Sequence, residues 1–104
     1  MSPLARSKEL YEERGYTVET VERWIPGANI RKDFLGCIDL IAMRPDPPDV
    51  VAIQSTSASN VSARVKKIAD SAGLALMRAL GWTVEVHGWG KRDNRWRVRV
   101  EDIS

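Results

Sequence analysis

One hundred and four residues allow one domain and one core, with no room for a second folding unit and a linker. The chain is 43% hydrophobic and 29% charged, the balance of a globular rather than a disordered sequence. Sixteen Lys and Arg against fourteen Asp and Glu give a net charge of +2. The single cysteine, Cys37, excludes an intramolecular disulfide and a cysteine-cluster zinc site, and the single histidine, His87, excludes a two-histidine zinc motif. No apolar run approaches the ~20 residues of a membrane span, and the first residues lack the apolar stretch of a secretion signal. The expectation is a small soluble cytoplasmic protein, one domain over residues 1–104.

Ser2 before Pro3 reads as a helix N-cap with proline in the first turn, and Gly15 as the stop after Leu4 to Arg14. Tyr16, Val18, Val21 and Trp24 read as one strand with a bulge, followed by a turn at Pro26-Gly27-Ala28-Asn29. Phe34 to Met43 is almost continuously apolar, the pattern of a strand buried on both faces. Arg44-Pro45-Asp46-Pro47-Pro48-Asp49 must turn, and Val50 to Ile53 forms the next strand, running into Gln54-Ser55-Thr56. Val61, Val65, Ile68, Ala72, Ala75 and Ala79 recur at helical spacing, which predicts one long helix stopped by Gly81. Residues 82–88 alternate, 90–94 read as a turn, and Arg95 to Glu101 alternates strictly, with Trp96, Val98 and Val100 expected on a core face. Gly15-Tyr16-Thr17-Val18-Glu19 and Gly81-Trp82-Thr83-Val84-Glu85 look like one helix-to-strand junction used twice. The order is α-β-β-β-α-β-β, and a central sheet with a helix on each side is the simplest way to bury these faces.

Charge is divided along the chain. Residues 1–23 carry Arg6, Lys8, Arg14 and Arg23 against Glu9, Glu12, Glu13, Glu19 and Glu22, a net of −1. Residues 60–80 carry Arg64, Lys66, Lys67 and Arg78 against Asp70, a net of +3. Residues 86–100 carry Lys91, Arg92, Arg95, Arg97 and Arg99 against Asp93, a net of +4. A basic second half favours a polyanionic partner. Arg95, Arg97 and Arg99 form a stripe that either contacts phosphates or keeps an edge strand soluble. Arg31-Lys32 is either a phosphate contact or a solvated loop.

Asp39 conflicts with its surroundings. An unpaired buried carboxylate costs several kcal/mol or shifts its pKa upward, so it needs a cation, a metal or backbone N–H donors. Gln54 interrupts the next apolar strand in a similar position, which should bring the two side chains together. Asp39, a Gln54 oxygen and the Ser55 carbonyl are hard oxygen ligands that suit Mg²⁺, an ion able to activate water for phosphodiester hydrolysis.

Arg31-Lys32-Asp33-Phe34-Leu35-Gly36-Cys37-Ile38-Asp39-Leu40-Ile41-Ala42, a short turn, Val51-Ala52-Ile53-Gln54-Ser55-Thr56 and a basic helix resemble the core of the PD-(D/E)xK nuclease superfamily. The likeness is to the small Holliday junction resolvases and VRR-type nucleases in particular. It implies an α/β, restriction-endonuclease-like αβββαβ(β) fold, with a central mixed sheet flanked by helices. It also implies Mg²⁺ or Mn²⁺, DNA cleavage, and a homodimer on branched, two-fold symmetric DNA. The family's first acidic ligand falls on Asp39, the acid of its triplet on Gln54 and its lysine on Thr56. Its helix-one glutamate falls on Glu9, Glu12 or Glu13. Gln54 removes one negative charge from the metal site. Thr56 removes the lysine, for which Lys66 or Lys67 of the following helix, with Arg64 nearby, is the available cation. The alternative is a catalytically inactive nuclease-fold protein that binds DNA or a protein partner.

The remaining residues read more plainly. His87 lies on the polar parity of its strand and reads as a sheet-surface histidine, and Cys37 as a small core residue. No P-loop, dinucleotide fingerprint or Ser-His-Asp arrangement is legible.

Overall fold

The computed structural model describes all 104 residues. Helix α1 spans Pro3–Glu13 and is followed by β1 (Thr17–Thr20), β2 (Arg23–Ile25), β3 (Ile30–Lys32), β4 (Leu40–Pro45) and β5 (Pro48–Ser57). A 3₁₀ turn at Ala58–Asn60 leads into α2 (Val61–Ala69) and α3 (Ala72–Ala79), and the chain ends in β6 (Thr83–Arg92) and β7 (Arg95–Asp102). Five strands form a mixed sheet in the order β1-β4-β5-β6-β7, and β2 and β3 form a separate hairpin. The pairs β1–β4, β4–β5 and β6–β7 are antiparallel, while β5 and β6 are parallel and joined by the two helices.

The sheet buries both faces. Tyr11 of α1 packs with Tyr16, Val18, Leu40, Ala42, Val51 and Ile53 on one side. Val61, Ile68, Leu74 and Met77 of α2 and α3 pack with Cys37, Ile38, Ala52, Val84 and Val86 on the other. Successive residues of a strand face opposite ways, so β5 sends Val51 and Ile53 to α1 and Ala52 to α2 and α3. Each fully buried aliphatic side chain contributes about 1.5–3 kcal/mol.

The two look-alike junctions take one geometry. Gly15 and Gly81 have φ of +88° and +74°, and the next residue closes the helix end: Tyr16 N donates to Tyr11 O and Trp82 N to Met77 O. Ser2 caps α1 through its hydroxyl, which accepts from Ala5 N.

Five expectations are corrected. The first helix after β5 is not continuous to Ala79. It stops at Ala69, and Ser71 caps a new helix by accepting from Leu74 N. The break shifts the helical phase, so α3 buries Leu74 and Met77, while Leu76 and Leu80 are exposed. Phe34 to Ile38 is a tight turn rather than strand: Leu35 and Gly36 have positive φ, and Phe34 N and Ile38 O close a single bridge. The expected strand from Tyr16 to Trp24 divides into β1 and β2, and Trp24 lies exposed on the small hairpin. The last turn is only Asp93-Asn94, both at positive φ, so β6 runs on to Arg92. The face of β7 expected to be core is only partly covered, with Trp96 45% and Val100 41% exposed. No helix is long and apolar enough to cross a membrane.

Candidate active site

Asp39 sits one residue before β4 and continues its ladder: Asp39 N donates to Ile53 O, and Asp39 O accepts from Val21 N. The main chain is therefore held on both sides, and the side chain has one place to go. Its carboxylate accepts from Gln54 Nε2 at 3.0 Å and from the Ser55 N–H at 3.2 and 3.3 Å. The expected side-by-side placement of Asp39 and Gln54 is thus present, with the amide nitrogen toward the acid. Asp39 is 4% exposed and belongs to none of the three ion pairs of the chain. Burial pushes its carboxyl up to about 7; the Ser55 N–H opposes the shift, and Asp33 and Glu22 add to it.

Asp39 opens on a cleft of about 540 Å³ at the N-terminal end of α1, lined also by Glu22, Arg31, Ser55, Thr56 and Ser57. No sequence pattern singles out Glu22. It arrives because the Val21–Asp39 hydrogen bond carries the chain leaving β1 past the acid. Arg31 pairs with Glu22 at 3.6 Å across the small hairpin, while its neighbour Lys32 is exposed opposite Arg23. Thr56, where the resemblance puts a lysine, lies in the cleft and is nearly buried.

Gln54 itself does not line that cleft; it borders a second hollow of about 240 Å³ with Arg64, Lys67, Cys37 and Ser71. Lys67 and Arg64, one helical turn apart on α2, therefore approach Gln54 from its far side. Lys66 is exposed and lines neither hollow. Glu9 is also outside. It lines a separate groove with Arg6, Trp89 and Trp96, because Ser7 and Tyr11 hold the buried stripe of α1 and position 9 lies on the opposite side of the helix. The acid that shares a cleft with Asp39 is Glu22, not a helix-one glutamate.

The basic stripe is assembled on the face that carries α2. Gly90 pairs with Arg97 and Gly88 with Arg99, and Lys91, Arg92, Arg97 and Arg99 surround a groove of about 360 Å³ floored by the two glycines and Ala58. Arg95 is exposed at the hairpin end, outside the groove. Gly88 is required there: a Cβ would overlap Val61 Cγ2 and stand 3.0 Å from Ala58 Cα. The 3₁₀ turn that begins at Ala58 follows directly on Ser57 of the Asp39 cleft, so groove and cleft are neighbours along the chain.

His87 is not a surface residue. It is fully buried under α1, its ring stacked on Tyr11 at 5.9 Å between centroids. Nδ1 lies 2.9 Å from Ser7 Oγ and Nε2 lies 2.9 Å from Glu85 Oε1. Ser7 Oγ is also 2.8 Å from Ser55 Oγ and accepts from Trp89 Nε1 at 2.8 Å. Glu85 accepts from Tyr11 at 2.6 Å. Burial pushes the Glu85 carboxyl up, but the hydrogen bonds from His87 and Tyr11 outweigh it and leave it below its ordinary value. Burial and Glu85 together raise the Tyr11 hydroxyl. Strand parity alone could not separate a His under a helix from a His in water.

No group of three or more His, Cys, Asp and Glu is gathered for a metal. The donor chemistry still fits one hard cation, since Mg²⁺ is commonly held by one or two carboxylates and waters. Asp39 and Glu22 face one cleft, and rotating the Gln54 amide presents its oxygen beside Asp39. In an extended strand a residue's N–H and C=O point to the same side. The Ser55 carbonyl therefore also faces the gap beyond the end of β4.

No protein-family model, no curated protein and no solved structure matches the chain.

Proposed function

We propose that the chain is a divalent-cation-dependent DNA endonuclease with a restriction-endonuclease-like fold, of the Holliday junction resolvase type. One observation carries the reading. Asp39 is a desolvated carboxylate with no cationic partner, beside Gln54 and sharing a cleft with Glu22. Such a group is poised to gain from a bound cation. Asp39, Glu22, the Gln54 oxygen and the Ser55 carbonyl would hold Mg²⁺ or Mn²⁺, which would supply charge stabilisation at the scissile phosphate and activation of water. The sheet order supports the fold: β1, β4 and β5 form an antiparallel meander, and β6 joins parallel to β5 through helices. Lys67 takes the place of the missing lysine, and the groove of Lys91, Arg92, Arg97 and Arg99 receives the DNA backbone. By the same resemblance the active form is a homodimer on branched DNA.

The test is cleavage of linear and four-way-junction DNA with Mg²⁺ or Mn²⁺, with Asp39→Asn as the control. Cleavage that Asp39→Asn abolishes supports the reading. The second reading, a nuclease-fold protein that binds DNA without cutting, is favoured by Thr56 in the lysine's position. Tight binding of junction DNA with no cleavage in either metal would decide for it.

A further inference from the structure

Helix α1 lies over β1, β4, β5 and β6 and leaves β7 mostly uncovered. Between α1 and β7 runs a groove of about 220 Å³, lined by Arg6, Glu9, Leu10, Glu13, Trp89 and Trp96. Trp89 is fixed there by donating to Ser7, while Trp96 stays 45% exposed. The charges of the groove are unmatched within the chain. Arg6 stacks on Trp96, 3.9 Å from the ring centroid, and its buried Nε has no acceptor. Neither Arg6 nor Glu9 nor Glu13 belongs to any of the three ion pairs. Aromatic walls carrying both signs of charge suit a protein surface. Trp and Arg are enriched at interfaces, and the two carboxylates repel a phosphate backbone.

The order of charges on α1 selects the occupant. Arg6, Leu10 and Glu13 stand at i, i+4 and i+7, one stripe along the helix. Arg6 lies about 6 Å before Leu10 along the axis and Glu13 about 4.5 Å after it. A two-fold contact needs a surface that matches itself, in which residue i meets j and j meets i. Two antiparallel copies of α1 crossing at Leu10 meet this condition, because Arg6 of each then faces Glu13 of the other. We propose that a second copy of this chain docks in the groove, α1 against α1, burying Leu10 and Trp96 and pairing Arg6 with the partner's Glu13. Pairing through the free edge of β7 is disfavoured, because it sets the Arg95, Arg97 and Arg99 stripes of two copies side by side. The proposal gives the homodimer of the nuclease reading a face, and it stands without that reading.

Sedimentation equilibrium of the full chain, without DNA or metal, is the test. The wild type should be dimeric at micromolar concentration. Glu13→Arg puts two bases together at both symmetric contacts, and Arg6→Glu puts two acids there. Each should raise the dimer Kd roughly 10²-fold, about tenfold for each contact. An equimolar mixture of the two variants should dimerise as the wild type does, because every contact then pairs a base with an acid again. Glu12→Arg makes the same change of charge off the stripe and should leave Kd unchanged. Glu13 is exposed, so Glu13→Arg tests the contact even where Arg6→Glu fails to fold. A wild type that stays monomeric leaves the groove to another protein and overturns the proposal. So does a Glu13→Arg chain that dimerises at the wild-type Kd. So do two folded, monomeric variants whose mixture stays monomeric. The cleavage assay decides the nuclease reading separately, since neither DNA nor metal enters here.

Discussion

The carboxylate of Asp39 should set the pH dependence of stability, and Asp39→Asn isolates its contribution. The group ionises near 3.8 when solvated and at about 7 in the fold, so the folded chain holds its proton more tightly than the unfolded one. Where the native state binds more protons, stability falls as pH rises. The loss runs from about pH 4 to pH 7 and is complete above it. At 1.36 kcal/mol for each unit of separation, the full loss is about 4 kcal/mol. Asparagine keeps an acceptor for the Ser55 N–H, and the Gln54 amide can rotate to accept from its NH₂ group. Metal-free urea unfolding of both proteins at pH 4 and pH 8 is the assay. Other titrating groups cancel in the difference. The variant should match the wild type at pH 4 and exceed it by up to about 4 kcal/mol at pH 8. Each kcal/mol is about 4–8 °C in Tm for a domain of this size. Adding Mn²⁺ at pH 8 should stabilise the wild type more than the variant, because the variant keeps only the Glu22 carboxylate in the cleft. A difference between the two proteins that is the same at pH 4 and pH 8 would refute the reasoning. Asp39 would then be ionised throughout and compensated by its N–H donors alone.

Gln54→Glu restores a carboxylate beside Asp39. It should tighten Mg²⁺ or Mn²⁺ binding in calorimetric titration while lowering Tm in the metal-free state, since two acids then share one desolvated site. Arg97→Gln with Arg99→Gln should weaken DNA binding for all sequences and lower the slope of log affinity against log salt by roughly one for each lost contact. An unchanged slope with self-association by light scattering would instead assign the arginines to protecting the edge strand β7. Gly88→Ala forces the 3₁₀ turn and Val61 away from β6 and should cost about 1–3 kcal/mol in urea unfolding.

The sequence resolves best where one signal decides. Strict alternation placed β7, and glycine at positive φ ended α1 and α3 and so framed the two matching junctions. Apolar runs stopped by Asp39 and Gln54 marked two side chains that meet, because a polar group inside a buried strand has few ways to be satisfied. Periodicity failed where two helices happened to continue one pattern. Ala72, Ala75 and Ala79 prolong the stripe of Val61, Val65 and Ile68, but alanines bury little. Leu74 and Met77 gain more by rotating α3, and Ser71 supplies the cap that makes the break affordable. The turn at Leu35–Gly36 failed for a related reason: composition reports burial, and Cys37 and Ile38 are buried without being extended.

The polar residues divide in the same way. Asp39 and Gln54 stood out because their strand neighbours are apolar on both parities. Ser7, Glu85 and His87 did not, because each falls where an amphipathic helix or an alternating strand is expected to meet water. The registers that join them are long-range: Ser55 to Ser7 spans 48 positions and Ser7 to His87 spans 80. What makes burial tolerable there is mutual satisfaction, with each donor supplied an acceptor by a different element. No local pattern carries that information, since α1, β5 and β6 each contribute members that look solvated alone. The Asp39 cleft is a conflict visible within single strands, whereas the chain beneath α1 is a conflict resolved between elements. The two networks meet at Ser55, whose N–H donates to Asp39 and whose hydroxyl lies 2.8 Å from Ser7 Oγ, so one residue joins what a single sequence discloses to what it does not.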